Sequence, residues 1–253
     1  MPTRLRRAGL WLALLGTFLL SAGARADSLS ILDATFAEAA SASTPQISTA
    51  ELRRILATNQ MVVIDTRSRA EFDAGHIPGA RRVEAGADGP VAAVDRMLNG
   101  NRAASVVLYC NGPFCQASRR LGDQLAKAGF TQVHRYQLGI PVWRALGGPT
   151  EIELPGIVRV FGVDRSAVFI DTRPPDEFAA GSVPTAANLP VEALLGGTAT
   201  PLPLPEDDFN RRIILFGRDG AQARRVAEAL ATRPWHNVAY FPGSASELIA
   251  VLK

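Results

Sequence analysis

Met61-Val62-Val63-Ile64-Asp65-Thr66-Arg67 opens a stretch that the chain writes again as Val168-Phe169-Ile170-Asp171-Thr172-Arg173. The echo continues. Glu71-Phe72 and Gly75-His76-Ile77-Pro78-Gly79-Ala80 return as Glu177-Phe178 and Gly181-Ser182-Val183-Pro184-Thr185-Ala186, at a constant offset of 106 from Asp65/Asp171 to Pro78/Pro184. Further on, Val106-Val107-Leu108-Tyr109 matches Ile213-Ile214-Leu215-Phe216, and Arg119-Arg120-Leu121 matches Arg224-Arg225-Val226. Self-similarity over this length means two related domains, placed at 47–148 and 156–253. The Gly- and Pro-containing stretch 146–156 reads as the linker between them.

Each copy reads as strand, turn, helix, loop, strand, loop, helix, strand. The runs 61–64, 106–109, 168–170 and 213–216 are short and wholly apolar, as suits strands covered on both faces. Ala117, Leu121, Leu125 and Ala128 then recur at helical spacing, and Gly129 stops the helix in the C′ position. Ala223, Val226, Ala227 and Leu230 do the same in the second copy. Strands alternating with helices predict an α/β fold with mainly parallel sheets. Upstream, Ser48 and Glu51 suggest a capping box, with Ile47 and Leu52 as its hydrophobic staple.

In such folds, sites lie where strand C-termini hand over to helix N-termini. Cys110 follows the buried strand 106–109 at one such junction, and Asn111-Gly112-Pro113-Phe114-Cys115-Gln116 leads on into the helix. A thiol there feels the helix N-terminus and the loop N–H groups, which stabilise the thiolate and any sulfur oxyanion beside it. Asp65 and Asp171 end strands and are read as acceptors that order the turn behind them. Arg67 with Glu71, and Arg173 with Glu177, are spaced for structural ion pairs at a helix start. Arg67 is also a candidate to face a bound anion.

Taken together, Asp65-Thr66-Arg67, Glu71-Phe72, Gly75-His76-Ile77-Pro78-Gly79-Ala80, the strand before Cys110, and Gly139 with Trp143 resemble the rhodanese (sulfurtransferase) domain family, across both repeats. The resemblance implies two rhodanese-like α/β domains, each a mainly parallel sheet flanked by helices. It also implies a catalytic Cys110 that takes sulfane sulfur from a donor such as thiosulfate and passes it to a thiol or cyanide. Asn111, Gly112, Pro113, Phe114, Cys115, Gln116 and Arg67 are then the substrate-binding candidates. The second domain carries Gly217 where the first carries Cys110, so it cannot form a persulfide. Tandem members usually keep the C-terminal domain active, and here the order is reversed. A phosphatase of the related cysteine type needs an Arg where Gln116 stands.

Cys115 keeps two other readings open. It could pair with Cys110 as a disulfide or resolve its persulfide, which would make the chain a thiol–disulfide redox protein; a rhodanese-fold binding module without catalysis is the other reading. No cofactor is implied. His76, His134 and His236 show no metal-ligand spacing, and two cysteines exclude a four-cysteine zinc site.

Residues 1–26 read as a secretory signal: Arg4, Arg6 and Arg7, an apolar run from Gly9 to Leu20, and Ala24-Arg25-Ala26 as the cleavage site. Residues 27–46 read as a tether. The formal charge of +3 then misleads. Without the signal's four arginines, the 27 basic residues fall to 23 against 24 acidic ones, a net −1, which leaves no basic surplus for nucleic acid. The expected product is periplasmic or secreted, with no stable membrane span once the signal is cleaved. Its expected partners are a small sulfur-containing anion and a thiol or cyanide acceptor, with the silent domain available to a protein partner.

Overall fold

Two parallel sheets, one per repeat, organise the computed structural model, which describes residues 44–198 and 201–253. The proposed signal and nearly all of the tether lie outside the described residues. The first repeat runs α1 (Thr49–Thr58), β1 (Val62–Asp65), α2 (Arg69–Asp73), β2 (Arg81–Arg82), α3 (Gly89–Met97), β3 (Val106–Tyr109), α4 (Gln116–Lys127), β4 (Val133–Tyr136) and α5 (Gly139–Ala145). The second runs β5 (Thr150–Glu151), α6 (Leu154–Arg159) continued by a π-helical turn (Val160–Asp164), β6 (Ala167–Asp171), α7 (Pro175–Ala180), β7 (Ala187–Asn188), α8 (Val191–Leu195), β8 (Arg212–Phe216), α9 (Gly220–Ala231), β9 (Val238–Tyr240) and α10 (Ala245–Val251). Among the described residues the strand orders are β2-β1-β3-β4 and β5-β9-β8-β6-β7, all pairs parallel. No described helix is long and apolar enough to cross a membrane.

The apolar strands are covered on both faces, and their alternation sorts the core. Val106 and Leu108 pack on one side of the first sheet with Ile64, Leu121 and Leu125. Val107 and Tyr109 pack on the other with Val63, Tyr136, Ile140 and Trp143. Ile213 and Leu215 against Ile214 and Phe216 divide the second sheet in the same way. Parallel register aligns Asp65 with Tyr109 and Tyr109 with Tyr136, so the strand ends that carry the polar residues finish level.

Two stretches read as connectors pair with the sheets. The end of the tether docks on β4, with Ile47 N–H donating to the Arg135 carbonyl (2.9 Å) and Arg135 N–H to that of Pro45 (2.8 Å). In the linker, Thr150–Glu151 forms the edge strand of the second sheet. Glu151 also exchanges two backbone hydrogen bonds with His76, both 2.9 Å, and so pins the first repeat to the second. Gly156 sits tight in this seam, where a Cβ would lie 2.1 Å from the Asp73 carbonyl oxygen.

The helix-start reading of the arginines needs correction. Ser68 is the N-cap of α2, and Glu71 closes a full capping box with it, so Arg67 stands before the helix and pairs with Asp65. Arg173 likewise pairs with Asp171. Ser48 does cap α1 through the Glu51 N–H (3.1 Å). Full boxes occur instead at Ser68/Glu71 and Ser244/Glu247.

Asp65 is fully buried. It accepts from the Arg67 N–H (2.9 Å), the Arg67 guanidinium and the Tyr109 hydroxyl (2.6 Å). Removing one partner of such a pair leaves an uncompensated buried charge. Asp65→Asn is therefore expected to cost about 3–5 kcal/mol of stability, read as a lower urea midpoint with an unchanged slope.

Candidate active site

Cys110 directly follows the buried strand β3 and is itself 3% exposed. Five residues on, Cys115 is the N-cap of α4. The two are joined by a disulfide with Cα atoms 6.1 Å apart, inside the usual range for such a bond. Of the alternatives open for Cys115, the structure takes the pairing. The loop folds so that the bond can close: Cys115 N–H donates to the Gly112 carbonyl (3.1 Å) in a tight turn, and Gly112 takes a φ of 123°. That bond engages the Cys115 amide. Cys115 makes no side-chain cap to α4, so the first turn of this 12-residue helix points uncapped donors at the loop.

The loop is floored by the start of α5. Gly139, with φ 67°, lies so close that a Cβ would come within 2.4 Å of both the Cys110 carbonyl oxygen and the Gly112 nitrogen. The Ile140 N–H donates to the same Cys110 carbonyl (3.1 Å). This gives the paired Gly139 and Trp143 of the sequence their reason: Trp143 fills the core, and Gly139 lets the helix start touch the cysteine backbone.

Not every residue assigned to substrate faces solvent freely. The Arg67 side chain is 5% exposed and committed to Asp65 and the Gly75 carbonyl (2.8 Å). It braces the strand end from inside, so its assignment as an anion contact gives way to a structural one. Its charge is held by Asp65, which raises its pKa against the opposing effect of burial. Asn111 donates its side-chain amide to Glu71, tying the loop to α2. Gly112 is buried, Pro113 and Cys115 are half-buried, and Gln116 is exposed. Phe114 stands out at the loop tip, 61% exposed.

The second repeat keeps the scaffold and closes the site. Arg218 pairs with Glu177 where Asn111 meets Glu71. Asp171 accepts from the Ser182 hydroxyl (2.6 Å). In the first repeat that role falls to Tyr109, for which Phe216 offers no hydroxyl. At Gly217 a Cβ would lie 2.5 Å from Gln222 Oε1 and 2.6 Å from Thr172 Oγ1. The Gln222 side chain is folded over the loop and accepts from the Arg218 N–H (2.7 Å). The space for a thiol is therefore already filled.

A family model described as Rhodanese-like domain matches residues 48–146 and 162–250, together most of the chain. The chain belongs to the rhodanese family. Among curated relatives, thiosulfate:glutathione sulfurtransferase of Homo sapiens is 33% identical over 115 residues, covering 40% of this chain and 95% of the human protein. An HTH-type transcriptional regulator of Mycobacterium tuberculosis is 32% identical over 112 residues, covering 43% of this chain; the chain spans 46% of that regulator's length. Among solved structures, a thiosulfate sulfurtransferase from Pseudomonas aeruginosa aligns with 87% of this chain and 47% of its own at 22% identity, TM-score 0.39. The tandem rhodanese domains thus have sulfurtransferase relatives at low identity.

Two outcomes follow from this geometry. Gly139→Ala should lower stability by roughly 2 kcal/mol or more, because the left-handed backbone and the close approach both reject a Cβ; thermal unfolding checks it. Glu71 has its pKa lowered by the Ser68 hydroxyl first and then by the Asn111 amide. A depressed carboxyl stabilises the fold above its unfolded pKa and loses that contribution as pH falls through its folded one. The stability advantage of wild type over Glu71→Gln should accordingly be present at neutral pH and vanish in acid, in paired urea titrations.

Proposed function

We propose that the chain is an exported sulfurtransferase whose first domain carries sulfane sulfur on Cys110, and that Cys115 closes the site as a disulfide. The observation that carries this reading is the placement of Cys110 at the β3–α4 junction with a second sulfur bonded to it from the helix N-cap. Family membership and the human relative support the reaction class. The signal-like residues 1–26 support export, and a disulfide suits an oxidising compartment.

Once reduced, the Cys110 thiolate attacks the outer sulfur of a donor such as thiosulfate. The donor S–S bond breaks, sulfite leaves with the electron pair, and Cys110 becomes a persulfide. Loop amides and the α4 N-terminus stabilise the anionic sulfur. A cyanide or thiolate acceptor then attacks the outer sulfur, and Cys110 leaves as thiolate. Cys115 supplies a second exit: its thiolate attacks Cys110 Sγ, hydrosulfide departs, and the disulfide forms. A thiol reductant returns two electrons to reopen the site. The bond also favours a second reading, a thiol–disulfide oxidoreductase that handles electrons only.

Intact mass separates these. After reduction and exposure to thiosulfate, Cys115→Ser should gain about 32 Da, one sulfur, and retain thiosulfate:cyanide transfer. Wild type should show the same gain or release sulfide as its disulfide returns, and Cys110→Ser should do neither. Gly217→Cys added to Cys110→Ser should restore nothing. No sulfur gain in any variant, or equal loss of activity in both cysteine variants, would overturn the carrier reading in favour of the binding module or the dithiol reading respectively.

A further inference from the structure

His76 is 2% exposed, and its ring stacks on Phe72 with centroids 3.7 Å apart. Nδ1 lies 3.0 Å from the Phe72 carbonyl oxygen. A carbonyl only accepts, so Nδ1 carries a proton and the ring turns Nε2 the other way. Nε2 faces two carboxylates, Glu151 Oε1 at 3.9 Å and Glu153 Oε1 at 3.8 Å. Three electron-pair donors thus converge, all within 4.8 Å of one another, the one such group among the described residues.

The donors are also held from behind. Glu151 Oε2 accepts from the Gly79 N–H (3.3 Å) and the Tyr240 hydroxyl (3.2 Å), which leaves Oε1 for the seam. Glu151 and Glu153 alternate about the fully buried Ile152, so both acids leave the extended linker on one side. The backbones of His76 and Glu151 are locked by their paired bonds. Arg69 and Arg224 lie within electrostatic reach, but their guanidinium groups bond elsewhere, to Asp73 and Glu84 and to Glu228. The divergence of the repeats fits as well: Ser182 serves Asp171 in the second copy, whereas Tyr109 frees His76 from that duty in the first.

We propose that His76 Nε2, Glu151 and Glu153 bind one divalent cation of the zinc class at the seam between the two rhodanese domains. One imidazole and two carboxylates suit zinc, and a carbonyl behind the imidazole is the usual support for such a ligand. Bond lengths of about 2.0–2.1 Å need donors about 3.3 Å apart in a tetrahedron, so a small side-chain adjustment closes the site. Glu153 is the most exposed of the three, with 35% of its side chain accessible, and gives the ion its entry and a fourth, solvent position. The ion would fasten the first domain to the linker, independently of sulfur chemistry.

The test uses the untagged full chain in its disulfide form, so that no thiol competes, stripped with a chelator and desalted. Calorimetric titration with Zn²⁺ should show one ion per chain. Glu153→Gln, at a part-exposed position that tolerates the change, should weaken binding roughly 10–100-fold, and Glu151→Gln should do the same. Co²⁺ should give visible d–d absorption in wild type and lose it in both variants. Wild type binding no more Zn²⁺ than Glu153→Gln would overturn the site and leave an imidazolium clamped between the two acids.

Discussion

The buried Asp65 carboxylate holds the end of β1, the turn behind it and the end of β3 in one place. Its acceptors are filled by the backbone and guanidinium of Arg67 and by the Tyr109 hydroxyl, which in turn accepts from the Ile77 N–H (3.1 Å). Tyr109 immediately precedes Cys110, so the position of the sulfur is inherited from this cluster. Burial and the Asp65 charge keep the phenol protonated by raising its pKa far above the ordinary value, and it stays a donor. The carboxylate, a charge that would be costly alone, is affordable here because every bond it needs comes from residues that the fold has to place anyway.

The same node in the second repeat shows which parts are scaffold and which are site. Asp171, Arg173 and the Gly181 carbonyl repeat the pattern of Asp65, Arg67 and Gly75. The Thr172 hydroxyl repeats that of Thr66, each 2.9 Å from a strand-end carbonyl. Where the copies part, they do so in compensated sets. Losing the tyrosine hydroxyl at Phe216 is matched by gaining Ser182, and losing the thiol at Gly217 is matched by Gln222 folding over the loop. A buried polar group abandoned by one partner must find another, and the pairs of changes follow that rule.

Local signals made much of this legible. Apolar runs of strand length, the helical period after Cys110 and the offset between repeats sufficed for two parallel α/β domains, because burial on both sheet faces leaves no alternative to apolar side chains. The cysteine junction was readable because it follows from topology. Arg67 was misread because Ser68, not Arg67, starts α2, and i,i+4 spacing has meaning only inside a helix. The linker strand Thr150–Glu151 was missed because two residues carry no period. The His76–Glu151–Glu153 convergence was invisible because it depends on the seam between domains, which no local spacing encodes.

The loop chemistry turns on charge as much as on redox state. In the second repeat Glu177 is neutralised by Arg218, so that loop mouth is electrically quiet. In the first, Asn111 offers only a neutral amide, and Glu71 keeps its negative charge with a lowered pKa beside the cysteine loop. A free Cys110 thiolate would therefore sit between opposing fields, the uncapped N-terminus of α4 on one side and a carboxylate on the other. Pairing the sulfur with Cys115 removes the need to hold a charge there at all. Under the proposed sulfur-carrier function, this field disfavours the bare thiolate and leaves Cys110 bonded to Cys115 or loaded with sulfur for most of a cycle.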